Sequence, residues 1–220
     1  MAVRRAGRRR GPRRYKRSST DLEFNRLAAL SDGVFAIAMT LLVVTIGEPV
    51  VSNARIGHEI AKLWPQIFAF FLSFTVLARY WLVHHEFMSL LTAINQRLLW
   101  SNLVYLALLA FLPFTTGLLG DYSSVGEVVA IYALNVAAIS SMEVVMFVVA
   151  HRDGLVERPL PGDVYRYAVL ESLVPVAVFL VSIPLAFLHD YAAYACWVSL
   201  LILEPVAARL RPADADPYLP

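Results

Sequence analysis

The residues able to do chemistry stand where apolar neighbours surround them. Asp32 lies in the run Leu27–Ile46 (LAALSDGVFAIAMTLLVVTI), where Ser31, Thr40 and Thr45 are its only polar companions. A carboxylate inside a membrane helix costs about 2.5–3.5 kcal/mol on insertion scales, so it calls for a partner or a function. A second set, Trp81, His84, His85 and Glu86, closes the next apolar run, and Asn102 lies at the start of the third. Later runs hold Glu143, Glu171 and Glu204. Arg166 and Arg209 lie near the last two in sequence, so pairing or snorkelling accounts for them, whereas Glu143 has no evident partner. Two chemistries fit. One is a polar clamp of charge-assisted hydrogen bonds between helices, and the other is a proton relay through Asp32, His84 and Glu143. Metal binding fits poorly, because adjacent histidines point about 100° apart on a helix.

The elements that must position these residues are membrane helices. Of 220 residues, 59% are hydrophobic and 16% charged, and the mean hydropathy is +0.62. Six apolar windows follow one another: Leu27–Ile46, Gln66–His85, Leu98–Leu119, Val128–Ala150, Tyr167–Phe187 and Tyr191–Ala208. The expected fold is an all-α, polytopic membrane protein with six transmembrane helices. Residues 1–22 are expected to be a basic, disordered cytoplasmic tail, 23–208 the transmembrane domain, and 209–220 a short cytoplasmic tail. Nine Lys and Arg between Arg4 and Arg17, with Arg97, Arg152, Arg158, Arg166, Arg209 and Arg211, fall on one side of the alternating spans. The positive-inside rule then puts both termini in the cytoplasm. That topology brings Asp32, His84, His85 and Asn102 to one depth, with Arg26 below them.

Several classes are excluded by what the chain lacks. It has no nucleotide-binding Gly-rich loop, zinc motif or nucleophile elbow, so no enzyme activity and no cofactor are expected. A lone cysteine, Cys196, excludes an intrachain disulfide. The basic tail has no apolar core that would make it a signal peptide. It suits anionic lipid headgroups, and no interleaved aromatic set accompanies it for nucleic acid. The Thr-Val-Gly-Tyr-Gly filter is absent, so the pore-loop potassium-channel fold is not expected.

The first window has a second feature. At about 100° per residue, Leu30, Gly33, Ile37, Leu41 and Val44 share one face, Thr40 flanks it, and Asp32 points about 140° from Ile37. The apolar stripe either packs against neighbouring helices or, in a cyclic oligomer, forms stacked rings that gate by dewetting.

Arg26-x-x-x-Leu30-Ser31-Asp32 followed by GVFAIAMTLLVV resembles the signature of the transmembrane protein 175 family of potassium channels, in its short prokaryotic form. Trp81, His84 and His85 match the family's end of helix 2. Asn102 and Leu112–Thr116 (LPFTT) match its helix 3, and Leu30 stands where the family has phenylalanine. The resemblance covers about Arg26–Gly120. It implies a potassium-selective, leak-like channel of the prokaryotic plasma membrane, formed by a homotetramer. Helix 1 would line the pore, with Ile37, Leu41 and Val44 as the constriction and Thr40 in selectivity. Arg26, Ser31, Asp32, Trp81, His84, His85 and Asn102 would form an interhelical polar network. No metal beyond permeating potassium is implied. A proton-coupled transporter using Asp32, His84 and Glu143 is the alternative.

Overall fold

The computed structural model describes residues 15–48, 56–189, 191–213 and 215, with side chains described from Phe24 onward. Helix α1 covers Tyr15–Leu41 and passes into a 3-10 turn, Leu42–Thr45. A short α2 (Ile56–Lys62) precedes α3 (Trp64–Ser89), α4 (Gln96–Asp121), α5 (Gly126–Arg152) and α6 (Gly162–Ala186). The sixth apolar window forms two short helices, α7 (Ala192–Val198) and α8 (Leu200–Ala208), which meet at Ser199. Among the described residues five helices are long and apolar enough to span a membrane, and Ala192–Ala208 adds a shorter apolar one. The chain is therefore the expected six-helix, all-α membrane protein.

One boundary moves. Residues 1–14 of the expected tail lie outside the described residues, but residues 15–22 are helical and continuous with the span. Extending a helix from a packed nucleus adds one hydrogen bond per residue fixed, so α1 runs outward past its apolar segment. At the other end α8 stops at Ala208.

The order of packing follows from which helices are buried on more than one side. The core centres on α4 and α5, whose Tyr105, Leu109, Leu112, Tyr132, Val136 and Ile139 are fully buried. Helix α6 covers the far side of α5, while α1 packs on α4 and, more lightly, on α3. Helix α1 and the 3-10 turn after it bury one narrow stripe, Leu27, Ser31, Phe35, Ala38 and Leu42, at spacings of four, four, three and four. Pro113 sits within α4, which runs unbroken from Gln96 to Asp121, and the hydroxyls of Thr115 and Thr116 both donate to the Leu112 carbonyl.

Connections at the two ends of the bundle are tied by polar side chains. At the arginine-bearing end the α3–α4 and α5–α6 loops pair through Thr92 N to Leu155 O (2.8 Å) and Glu157 N to Leu90 O (3.0 Å). Asn95 caps α4 by accepting from Leu98 N and donates to Asp153 at 2.6 Å. At the opposite end Gln66 accepts from Gly47 N (2.9 Å) and donates to Asp121 (2.7 Å), joining the end of the first span to α3 and α4. That junction depends on Gly120, because a Cβ there would lie 2.9 Å from Gln66 Cα. Gly120→Ala is therefore expected to push α3 from α4 and cost about 1–3 kcal/mol. A lowered thermal unfolding midpoint in detergent checks this; an unchanged midpoint would show that the junction can yield.

Candidate functional site

Neighbouring positions on α1 face different surroundings because residues advance about 100° around the axis. Ser31 belongs to the buried stripe, whereas Asp32 is exposed. The expected single polar layer is accordingly two chains of contacts side by side.

The buried chain begins at the backbone of α1. Ser31 Oγ donates to Leu27 O at 3.0 Å, and Asn102 Nδ2 on α4 donates to Ser31 Oγ at 3.2 Å. Asn102 Oδ1 in turn lies 2.9 Å from His84 Nε2 on α3. All three side chains are buried. Phe35, one turn along α1 and 1% exposed, packs its ring against His84 and Tyr105 at centroid distances of 5.6 and 6.1 Å. Tyr105 lies flat on His84, at 5.4 Å and 5°.

The second chain is exposed. Trp81 Nε1 donates to Asp32 Oδ1 at 3.0 Å, and the Trp81 ring stacks on His85 at 5.6 Å. Among the described hydrogen bonds none joins Asp32 to His84, and Arg26 is exposed at the start of this face. Structure thus brings Ser31, His84 and Asn102 together and sets Asp32, Trp81 and His85 apart from them.

The acids of the later helices also find partners. Tyr105 donates to Glu143 Oε1 at 2.9 Å across α4 and α5, a helix–helix hydrogen bond that sequence spacing could not locate. Glu204 pairs with Arg79 on α3, at 3.6 Å, and not with Arg209 of its own helix end. Both partners were legible in part. Tyr105 is three residues from Asn102 and so shares its face of α4, and Arg79 is the one Lys or Arg inside the second apolar window.

The apolar stripe is uncovered within the chain. Ile37 is 61% exposed, Leu41 46% and Val44 74%, and Leu30 and Thr40 are exposed as well. Among the described residues no neighbour buries this stripe. Val44 falls in the 3-10 turn, where three residues complete a turn, so it stands over Leu41 more directly than an α-helix would place it. Thr40 Oγ1 donates to Ile37 O at 2.9 Å, which leaves its oxygen lone pairs outward. Among the described residues no cluster of His, Cys, Asp and Glu could hold a metal ion.

Comparison with known proteins agrees with this architecture. A family model described as the endosomal/lysosomal potassium channel TMEM175 matches residues 26–113. A potassium channel of Chamaesiphon minutus is 39% identical over 103 residues, 46% of this chain and 51% of that one. A potassium channel of Streptomyces collinus is 36% identical over 101 residues, covering 46% and 49%. The chain thus aligns with about half the length of these relatives. Over the fold the likeness is fuller: the crystal structure of a lysosomal potassium-selective channel TMEM175 homologue from Chamaesiphon minutus superposes with a TM-score of 0.72 at 27% identity. That match covers 86% of this chain and 97% of that one.

The two chains of contacts should differ in what they hold. Asn102→Ala leaves the buried His84 Nε2 without its partner and removes the donor to Ser31, at about 1–3 kcal/mol per stranded group. Trp81→Phe removes one donor from exposed Asp32 and should cost about 1 kcal/mol or less. Thermal midpoints of the two variants in one detergent make the comparison, and equal losses would put Asp32 and Asn102 in one cooperative layer after all.

Proposed function

The chain belongs to the TMEM175 family, and from that premise we propose that it is a potassium-selective, leak-like channel whose pore is lined by α1 of four copies. One observation carries the reading: Ile37, Leu41 and Val44 stay exposed on one face of α1, with the exposed Thr40 on its flank. A wholly apolar surface would suit lipid. The Thr40 hydroxyl beside the stripe, whose oxygen lone pairs point outward, does not call for lipid, so this face suits water or a second subunit. One helix supplies one wall, and a central pore therefore requires cyclic symmetry.

In that arrangement Ile37, Leu41 and Val44 form three stacked apolar rings, and Ile37 is the narrowest. Water is disfavoured between such rings, which makes the constriction a barrier that excludes hydrated ions. Thr40 contributes oxygen atoms beside the Ile37 ring and takes part in the choice of potassium. The arginine-bearing end faces the cytoplasm of a prokaryotic cell, by the bias of Arg and Lys to that side, and the basic tail meets anionic headgroups.

Ile37→Asn tests the pore assignment. Amide groups wet the constriction, so potassium flux into liposomes should rise and discrimination against sodium should weaken, with protein yield maintained. In a Cys196→Ser background, Ile37→Cys should be blocked by a small water-borne methanethiosulfonate reagent. No rise in flux and no block would remove Ile37 from the permeation path.

A further inference from the structure

A groove of ≈ 450 Å³ lies between the start of α6 and the end of α8, at the arginine-bearing end of the bundle. Small-molecule sites have volumes of about 300–1,000 Å³, so it is large enough to hold a ligand. Its apolar walls are Leu170 and Val174 from α6, with Ala207 in α8 and Leu210 just after it. Leu170 and Leu210 are exposed, which leaves the groove open at its side. The Tyr167 hydroxyl donates to the Ala207 carbonyl at 3.2 Å and ties the two walls together. Helix α1 packs on α3 and α4, so the groove lies away from the first helix.

Three charged residues line the same groove: Asp163, Arg166 and Glu171. None of them takes part in an ion pair among the described residues, and the pairing of Glu171 with Arg166 expected from their nearness in sequence is not found. Arg209 and Arg211 stand on either side of Leu210 in sequence but do not line the groove. One guanidinium and two carboxylates thus share an apolar trough without neutralising one another. Asp163, Arg166, Leu170 and Val174 recur every three or four residues, which places them on one stripe of α6. At helical rise that stripe is about 16 Å long, and half of a hydrocarbon core of about 30 Å is one leaflet. Charge at the water end and apolar walls below it match the length and polarity of a single lipid molecule.

We propose that this groove binds a phospholipid with a primary-amine headgroup, drawn from the leaflet on the arginine-bearing side. Its acyl chain lies along Leu170, Val174 and Leu210. Arg166 takes the phosphate with paired N–H donors, its long side chain reaching back to headgroup level. Asp163, at the water end, accepts from the ammonium, which offers three N–H donors. Glu171 adds a second negative charge that opposes an anionic lipid. A choline headgroup has no N–H for the Asp163 carboxylate, and a glycerol headgroup leaves the phosphate charge uncompensated. The expected order is therefore phosphatidylethanolamine first, with phosphatidylcholine and phosphatidylglycerol behind it.

Native mass spectrometry of the delipidated full chain tests the site, with the three lipids offered in equal amounts and with the same acyl chains. Phosphatidylethanolamine should be retained about fivefold over either of the others, the scale of a well-made exposed ion pair. Asp163→Asn should bring phosphatidylethanolamine down to the level of phosphatidylcholine, and Arg166→Gln should lower both. Glu171→Gln should raise retention of phosphatidylglycerol. Asp163 and Arg166 are exposed, so neither of their substitutions opens the core, and an unchanged thermal midpoint in detergent checks that the fold is kept. Equal retention of the three lipids, as loosely held boundary lipid gives, would overturn the proposal. So would a preference for phosphatidylglycerol, or a phosphatidylethanolamine preference that Asp163→Asn leaves intact. Lipid retention is read without any current, so it stands or falls separately from the channel reading.

Discussion

One chain of hydrogen bonds, from the Leu27 carbonyl through Ser31 and Asn102 to His84, determines how the first helix sits on the rest of the molecule. Helix α1 buries only a narrow stripe of side chains and has no hydrophobic drive of its own inside a bilayer, where lipid tails are as apolar as leucine. Contacts with direction must position it. The buried chain does so near one end, and Gln66, gripping Gly47 and Asp121, does so at the other. A helix held at both ends can leave a whole face uncovered without tilting away, and that uncovered face is what the proposed pore uses.

The remaining polar groups are managed in two ways, and the difference separates scaffold from surface. Many hydroxyls return to their own helix: Thr75 to Phe71, Ser141 to Ala137 and Ser172 to Ala168 each satisfy a proton without tying two helices together. Others cross between helices. The Thr116–Ser73 and Ser73–Tyr132 hydroxyl contacts, with Thr116 also returning to Leu112 O, join α4, α3 and α5 in the half of the bundle away from the arginines. Thr40 belongs to the first group by its bond to Ile37 O, yet it is exposed, so its oxygen is available to whatever lies beyond α1. Charges follow the same division. Glu143 is held inside by Tyr105, whereas the Arg79–Glu204 pair is half-exposed and fastens α8 to α3 near the edge of the fold.

Much of this was legible in the sequence. Runs of about 20 apolar residues leave a backbone in lipid no alternative to the helix, so the six spans follow from composition and length. Depth was legible too, because alternating spans return Asp32, His84 and Asn102 to one end of the bundle. Less legible were azimuth and partner. Ser31 and Asp32 differ by one step along the chain, but that step decides burial, and only packing against α4 says which of the two turns inward. Arg79 and Glu204 are 125 residues apart, so no local spacing could pair them.

The sequence by itself determined the class of molecule, the number of spans, the level of its polar residues and the apolar stripe on the first helix, since each depends on periodicity or hydropathy along the chain. Tertiary structure alone decided that the polar residues form a buried chain and an exposed one, that Glu143 answers to Tyr105 in a cavity shared with His84, and that Ile37, Leu41 and Val44 stay exposed among the described residues. Those outcomes depend on the rotation of each helix about its axis. In an apolar solvent that rotation is set by a few directional hydrogen bonds between residues distant in sequence, and hydropathy does not record it.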